Sequence, residues 1–168
     1  MTDIFTLKSI YSIAKVSLEI PTGYLADVWG RRNCLIAGTI LGFGGFSCYS
    51  FSDTFSAFFM AEVKLGFGQS LVSGADSALL YDTMIHYRKE ESYLKYEGRV
   101  TMIGNFSEAF AGVFSGLLAA YSLRFPFYAQ SFVAFIGIPA AFSLTEYAAK
   151  TRITNSLSNI SKIIRYSL

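Results

Sequence analysis

Residues Glu19 to Leu35 read E-I-P-T-G-Y-L-A-D-V-W-G-R-R-N-C-L. An apolar segment runs into this stretch and another runs out of it. Between them sit the helix-breaking Pro21, Gly23, Asp27, Gly30 and the adjacent Arg31 and Arg32. This is the layout of a short, tight, positively charged loop joining two membrane helices. Gly23 lets a helix end approach a neighbour, and Gly30 permits the turn. Asp27 can accept hydrogen bonds from the exposed N–H groups of a helix start, helped by the helix dipole. Arg31 can pair bidentately with a carboxylate, and Asp82 is the expected partner.

The composition agrees with a membrane setting. Of 168 residues, 52% are hydrophobic and only 15% charged, against a usual ~25% charged in soluble domains. Mean hydropathy is +0.40. So few charges cannot cover the surface of a soluble domain this size. A net charge of +2 gives no electrostatic argument for a nucleic-acid partner. Cys34 and Cys48 lie 14 positions apart in one apolar segment. A helix would hold them ~21 Å apart, too far for a disulfide. No cleavable signal peptide is recognised after Met1.

A membrane helix needs about 20 mostly apolar residues. Five stretches qualify: Ile4 to Leu25, Cys34 to Phe51, Phe55 to Tyr81, Val100 to Leu123 and Phe125 to Leu144. The fold class expected is all-α, a polytopic transmembrane bundle over residues 1–147 with a cytoplasmic tail at 148–168. The second and fifth stretches carry no charge at all. Placing the Gly30–Arg32 loop in the cytoplasm also places the 82–99 loop and the tail there. These segments hold Arg31, Arg32, Arg88, Lys89, Lys95, Arg99, Lys150, Arg152, Lys162 and Arg165, ten of the fourteen basic residues. That bias puts the N-terminus outside and the C-terminus inside. An odd number of spans with an outside N-terminus suggests that a first span is missing. The tail, with Ile153, Leu157, Ile160, Ile163 and Ile164 near helical spacing, reads either as an amphipathic surface helix or as a solvated linker.

Ionisable groups inside spans usually face a cavity or a partner. Glu62, Gln69, Ser73 and Asp76 share one face of the third span and are candidates for a solute or proton path. The alternative is that both acids sit near the interfaces and are solvated. Lys8, Ser12, Lys15, Glu19 and Thr22 form a polar stripe on the first span, where Lys15 and Glu19 are spaced to pair. Glu108 stands alone in the fourth span, either a proton carrier or bonded to a neighbouring helix. Gly38 with Gly42, Gly112 with Gly116, and Gly66, Gly68 and Gly74 mark expected close helix contacts. His86, the one histidine, has no second histidine or cysteine nearby, so neither a metal site nor any other cofactor is expected. No nucleophile–base or phosphate-loop motif is recognised.

The stretch Gly23 to Arg32, G-Y-L-A-D-V-W-G-R-R, resembles the signature loop of the major facilitator superfamily, G-x-L-a-D-r-x-G-r-k, between that family's second and third spans. Val28 departs from it where a basic residue is usual. The third span resembles the family's fourth span in drug-exporter-like bacterial members, and Y-E-G-R at Tyr96 to Arg99 resembles the start of the family's fifth. The resemblance covers about residues 4 to 146. It implies a partial N-terminal half of a facilitator fold, spanning the family's second to sixth helices. The first helix and the C-terminal half would then be supplied elsewhere in a full transporter or in trans. It further implies secondary transport of a small-molecule substrate across the plasma (inner) membrane, with H⁺ as the coupling ion and the lipid bilayer as surroundings. By the same resemblance Asp27, Arg31 and Asp82 form a latch that stabilises the outward-facing state; the simpler reading is that these charges only anchor the topology. Two departures weaken borrowed mechanisms. Glu62 stands where an arginine is common, and Leu117 replaces the proline of the antiporter hallmark after Gly112 and Gly116. The rival expectations are a truncated or split product with no transport of its own, and a non-transporting membrane assembly protein.

Overall fold

The structure is a computed structural model and describes residues 2–51 and 53–147; the expected tail, 148–168, lies outside the described residues. It is built from α1 (Thr2–Trp29), α2 (Arg31–Phe51), α3 (Phe55–His86), a 3-10 turn (Glu90–Ser92), α4 (Tyr93–Tyr121) and α5 (Phe125–Ser143). No strand occurs among the described residues.

Pro21 does not end the first helix. α1 runs through it and stops eight residues later at Trp29. A proline inside a helix removes one N–H and so frees a carbonyl, a defect that nearby Ser and Thr hydroxyls can repair. Here the carbonyl left free is that of Ser17, while the Thr22 hydroxyl donates at 2.7 Å to the next one, the Leu18 carbonyl, so α1 continues through Pro21 without that repair. The expected loop therefore shrinks to one residue. Gly30, at φ +104°, is the whole break between α1 and α2. A side chain there would be strained in that region of φ. The Gly30 carbonyl already accepts the Cys34 N–H at 3.1 Å, the first bond of α2.

α3 lies between α1 and α2, and α5 packs on α2. The contacts are made by small residues, because helices in lipid associate through close packing and interhelical hydrogen bonds. A Cβ on Gly66 would fall 2.9 Å from Ala14 Cβ and 3.0 Å from the Tyr11 carbonyl oxygen, so α1 crosses α3 there with no room to spare. A Cβ on Gly38 would meet the Gly68 carbonyl at 2.8 Å, and one on Gly45 would meet Leu65 Cγ at 2.6 Å, which fixes the α2–α3 crossing. Ala26, Cys34, Leu35, Leu71, Ala75 and Leu79 form the buried cluster between these three helices. The buried Thr22 and Ser70 hydroxyls meet at 2.7 Å across α1 and α3.

One expectation fails. A Cβ on Gly68 would meet the Gly38 carbonyl at 2.9 Å and the Gly42 N at 3.4 Å, so the first G-x-x-x-G pair lies against α3, but among the described residues added Cβ atoms on Gly112 and Gly116 would meet nothing within 4 Å. α4 has no buried residue, so its glycines have no neighbour to approach. α2, α5 and the helical segment 90–121 are long and apolar enough to cross a membrane. α1 and α3, with 28 and 32 residues, are about 42 and 48 Å long. They carry charged residues along their length, unlike α2 beyond Arg32 and α5.

Candidate functional site

The charges of the opening stretch converge at the Gly30 end of the bundle. Arg31 is the first residue of α2 and its side chain is 15% exposed. Its guanidinium splits between two helices. Nη2 lies 3.5 Å from the Asp27 carboxylate, one turn back on α1. Nη1 donates both to the Asp82 carboxylate and to the Ala78 carbonyl on α3. The pairing with Asp82 thus uses one nitrogen rather than both prongs of the fork. Asp82 is 7% exposed and Asp27 60% exposed, so the two arms differ in kind. A surface pair contributes ~0–1 kcal/mol. A buried pair is costly to break, because the remaining charge is left without its partner. Among the described residues Asp82 Oδ1 is buried with no hydrogen-bond partner, so Oδ2 carries the pairing.

Asp27 does not cap α2. The Arg31 N–H donates instead to Glu146 Oε1 at 2.8 Å, from just beyond α5. The reason is electrostatic. α2 begins with two arginines and no acid in its first turn, so its positive dipole end faces positive side chains. Glu146 supplies the missing carboxylate, and it packs where a Cβ on Gly30 would be, 2.9 Å away. Tyr147 follows it onto α3, stacking on His86 with centroids 4.1 Å apart and meeting the Tyr87 hydroxyl at 2.9 Å. That hydrogen bond is the first cause that holds the Tyr147 phenol above its ordinary range. Sequence reasoning missed Glu146. Its one signal was that it is the last acid of the chain, alone in a basic tail. Arg32 donates from Nη2 to the Phe142 carbonyl at 2.7 Å, which ties α2 to α5.

The polar stripe divides. Gln69, Ser73 and Asp76 are exposed along α3, while Glu62 is buried and accepts a hydrogen bond from the Tyr49 hydroxyl on α2. Tyr49 is itself stacked on Phe127, with ring centroids 4.9 Å apart. Glu62 therefore belongs to an α2–α3–α5 contact and is separated from the exposed three. Lys15 and Glu19 do not form an ion pair. The Glu19 carboxylate instead lies 3.4 Å from the Ser73 hydroxyl, joining α1 to α3. Asp76 accepts the Ser77 N–H at 2.7 Å. Glu108 is exposed on α4, with no hydrogen bond or ion pair among the described residues. Gly23 offers an open side, since a Cβ there would meet nothing within 4 Å among the described residues; the approach of α1 to α3 at this level falls on Gly74, where an added Cβ would lie 3.4 Å from Gly23 Cα. A second residue missed from sequence is Glu97, which accepts the Ser77 hydroxyl at 2.7 Å and ties α4 to α3.

A sequence model of the Major Facilitator Superfamily matches residues 3–165. The chain belongs to the major facilitator superfamily. This facilitator chain is also similar to an uncharacterised MFS-type transporter of Methanocaldococcus jannaschii, 22% identical over 131 residues. That alignment covers 78% of the chain and 32% of the relative, so the chain spans about a third of the curated relative's length. No solved structure matches it. Membership of this superfamily makes the chain a multi-pass membrane protein of a transporter family, whose members move small molecules.

Proposed function

We propose that this facilitator chain forms part of the N-terminal half of a secondary transporter that moves a small solute by alternating access, with H⁺ as coupling ion. All five helices cross the plasma (inner) membrane, with the N-terminus outside and the Gly30 end and C-terminus in the cytoplasm. The observation that carries this reading is the divided guanidinium of Arg31, held by Asp27 on α1 and by buried Asp82 on α3. A pairing that depends on the relative position of three helix ends is made or lost when those helices rock. It is the kind of two-state contact that alternating access requires. In this reading Asp27, Arg31 and Asp82, with Gly23, Gly30 and Arg32 shaping the loop, are the latch. Lys15, Glu19, Gln69, Ser73 and Asp76 line the solute side, and Glu62 and Glu108 are the remaining candidates for proton carriage.

The charges of α1 and α3 fit this arrangement. Both helices exceed the ~30 Å hydrocarbon thickness, and intramembrane charges are tolerated where they meet one another or a wet cavity. Five helices do not enclose a path, so a further helix and a second half complete it, in the same polypeptide or in trans.

The test is flux of a dye panel in cells expressing this chain alone and with a complementary C-terminal half. Flux with both, and none with the chain alone, supports the reading. Silence in both, with protein verified in the membrane, favours the second reading: a remnant or assembly protein without transport. The bare surface of α4, which has no buried residue, keeps that second reading in view.

A further inference from the structure

Arg32 is not used up by the latch. Both neighbouring acids, Asp27 and Asp82, go to Arg31, and Glu146 goes to the Arg31 N–H. Among the described residues Arg32 makes no ion pair; it holds the Phe142 carbonyl through Nη2, and its Nε–H is buried without a partner. A guanidinium fixed in place with donors unfilled is an unsatisfied cation, and leaving such groups unpaired is costly.

Arg32 stands at one end of a groove of about 280 Å³. Trp29 and Asn33 share that polar end, and Ile36, Ile40 and Phe142 continue it as an apolar trough. From Arg32 to Ile40 the trough runs two turns of α2, ~12 Å. Trp29 is 51% and Ile40 47% exposed, so neither α1 nor α5 closes over it. Its walls belong to α2 and α5, which carry no charge from Cys34 to Phe51 and from Phe125 to Ser143 and are long and apolar enough to cross a bilayer. Tryptophan and arginine are also the residue types that settle at the boundary between headgroups and hydrocarbon.

A groove with one unpaired cation at its boundary end and hydrocarbon-like walls beyond it is complementary to one kind of molecule. We infer that it holds an anionic phospholipid of the cytoplasmic leaflet, with its phosphate at Arg32 and Asn33 and one acyl chain laid along Ile36 and Ile40. The inference rests on the bilayer placement given above and not on the transport reading. Bound there, the lipid would bridge α2 and α5 beside the Arg31 pairing.

The test reads lipid retention, not flux, so its outcome is independent of whether transport occurs. The purified full chain in detergent is exposed to equimolar dioleoylphosphatidylglycerol and dioleoylphosphatidylcholine, and bound lipid is counted by native mass spectrometry. Retention of the glycerol lipid is expected to exceed that of the choline lipid about fivefold, the factor for one basic residue at an anionic headgroup. Arg32→Gln should bring the ratio close to one. Arg88→Gln, which removes a charge outside the groove, should leave it unchanged. Ile40→Trp, which fills the trough and keeps the cation, should lower retention of both lipids; it carries the test alone if Arg32→Gln does not fold. The inference is overturned by no preference in the wild-type chain, by an unchanged ratio in Arg32→Gln, by equal losses in Arg32→Gln and Arg88→Gln, or by unchanged retention in Ile40→Trp. Displacement of the phospholipid by millimolar glycerol phosphate would also overturn it, by assigning the cation to a soluble anion.

Discussion

The Arg31 backbone N–H donates to the Glu146 carboxylate at 2.8 Å, across 115 positions of sequence. The first residue of α2 is thereby fixed to the segment that leaves α5, while the Arg31 side chain reaches α1 and α3. One residue joins four elements, and its backbone and side chain do so independently. Glu146→Ala should cost about 1 kcal/mol, in the range for loss of a helix cap. Glu146→Gln, which keeps an acceptor oxygen and loses the charge, should recover part of it. Unfolding of the purified chain in detergent, followed by circular dichroism, gives both values. Equal stability of Glu146→Ala and wild type would remove the cap from the account.

The two acids on Arg31 should not be equivalent. Asp82→Asn weakens a buried pairing and should cost roughly 3–5 kcal/mol. Asp27→Asn acts on an exposed partner and should cost no more than about 1 kcal/mol. The same unfolding measurement ranks them. A larger effect at Asp27 would reverse the assignment of the strong arm to α3.

Glycines should divide by what lies opposite them. Gly66→Ala forces a methyl group to within 2.9 Å of Ala14 and 3.0 Å of the Tyr11 carbonyl, so α1 and α3 must separate. The expected cost is about 1–3 kcal/mol, the usual penalty of overpacking. Gly112→Ala meets nothing within 4 Å and should be neutral, or stabilise by up to ~1 kcal/mol through helix propensity. Thermal unfolding of the two variants side by side decides it; equal losses would mean that α4 is packed.

Orientation has a direct reporter. Lys89 is exposed in the turn after α3. In a background free of Cys34 and Cys48, Lys89→Cys should react with an impermeant maleimide only after cells are opened. Labelling of intact cells would invert the topology.

Much of the bundle was legible because its signal is local. The uncharged runs that define α2 and α5 announce themselves, and their observed ends fall within three residues of those expected. Pro21 reads as a breaker, yet the expected span Ile4 to Leu25 already passed through it, and α1 continues beyond it to Trp29. Arg31 and Asp82 were legible as a pair from charge and position alone. Glu146 was not, because nothing near it in sequence shows that a helix beginning with two arginines lacks an acid. The regular spacing of Glu62 with Gln69, Ser73 and Asp76 was real as an angle on α3. What separated Glu62 from the others was Tyr49 on the next helix, which periodicity does not reveal.

The central claim is that the Arg31 pairing holds one of two states. It is tested most directly at Ser73, exposed on α3 one hydrogen bond from Glu19. Ser73→Cys is placed in the cysteine-free chain, assembled with its C-terminal half in proteoliposomes, and its labelling rate from the cytoplasmic side is measured with and without Arg31→Gln. The account predicts slow labelling with Arg31 present and a several-fold rise when the pairing is removed. An unchanged rate, with both proteins folded, would mean that these charges anchor the loop and govern no transition.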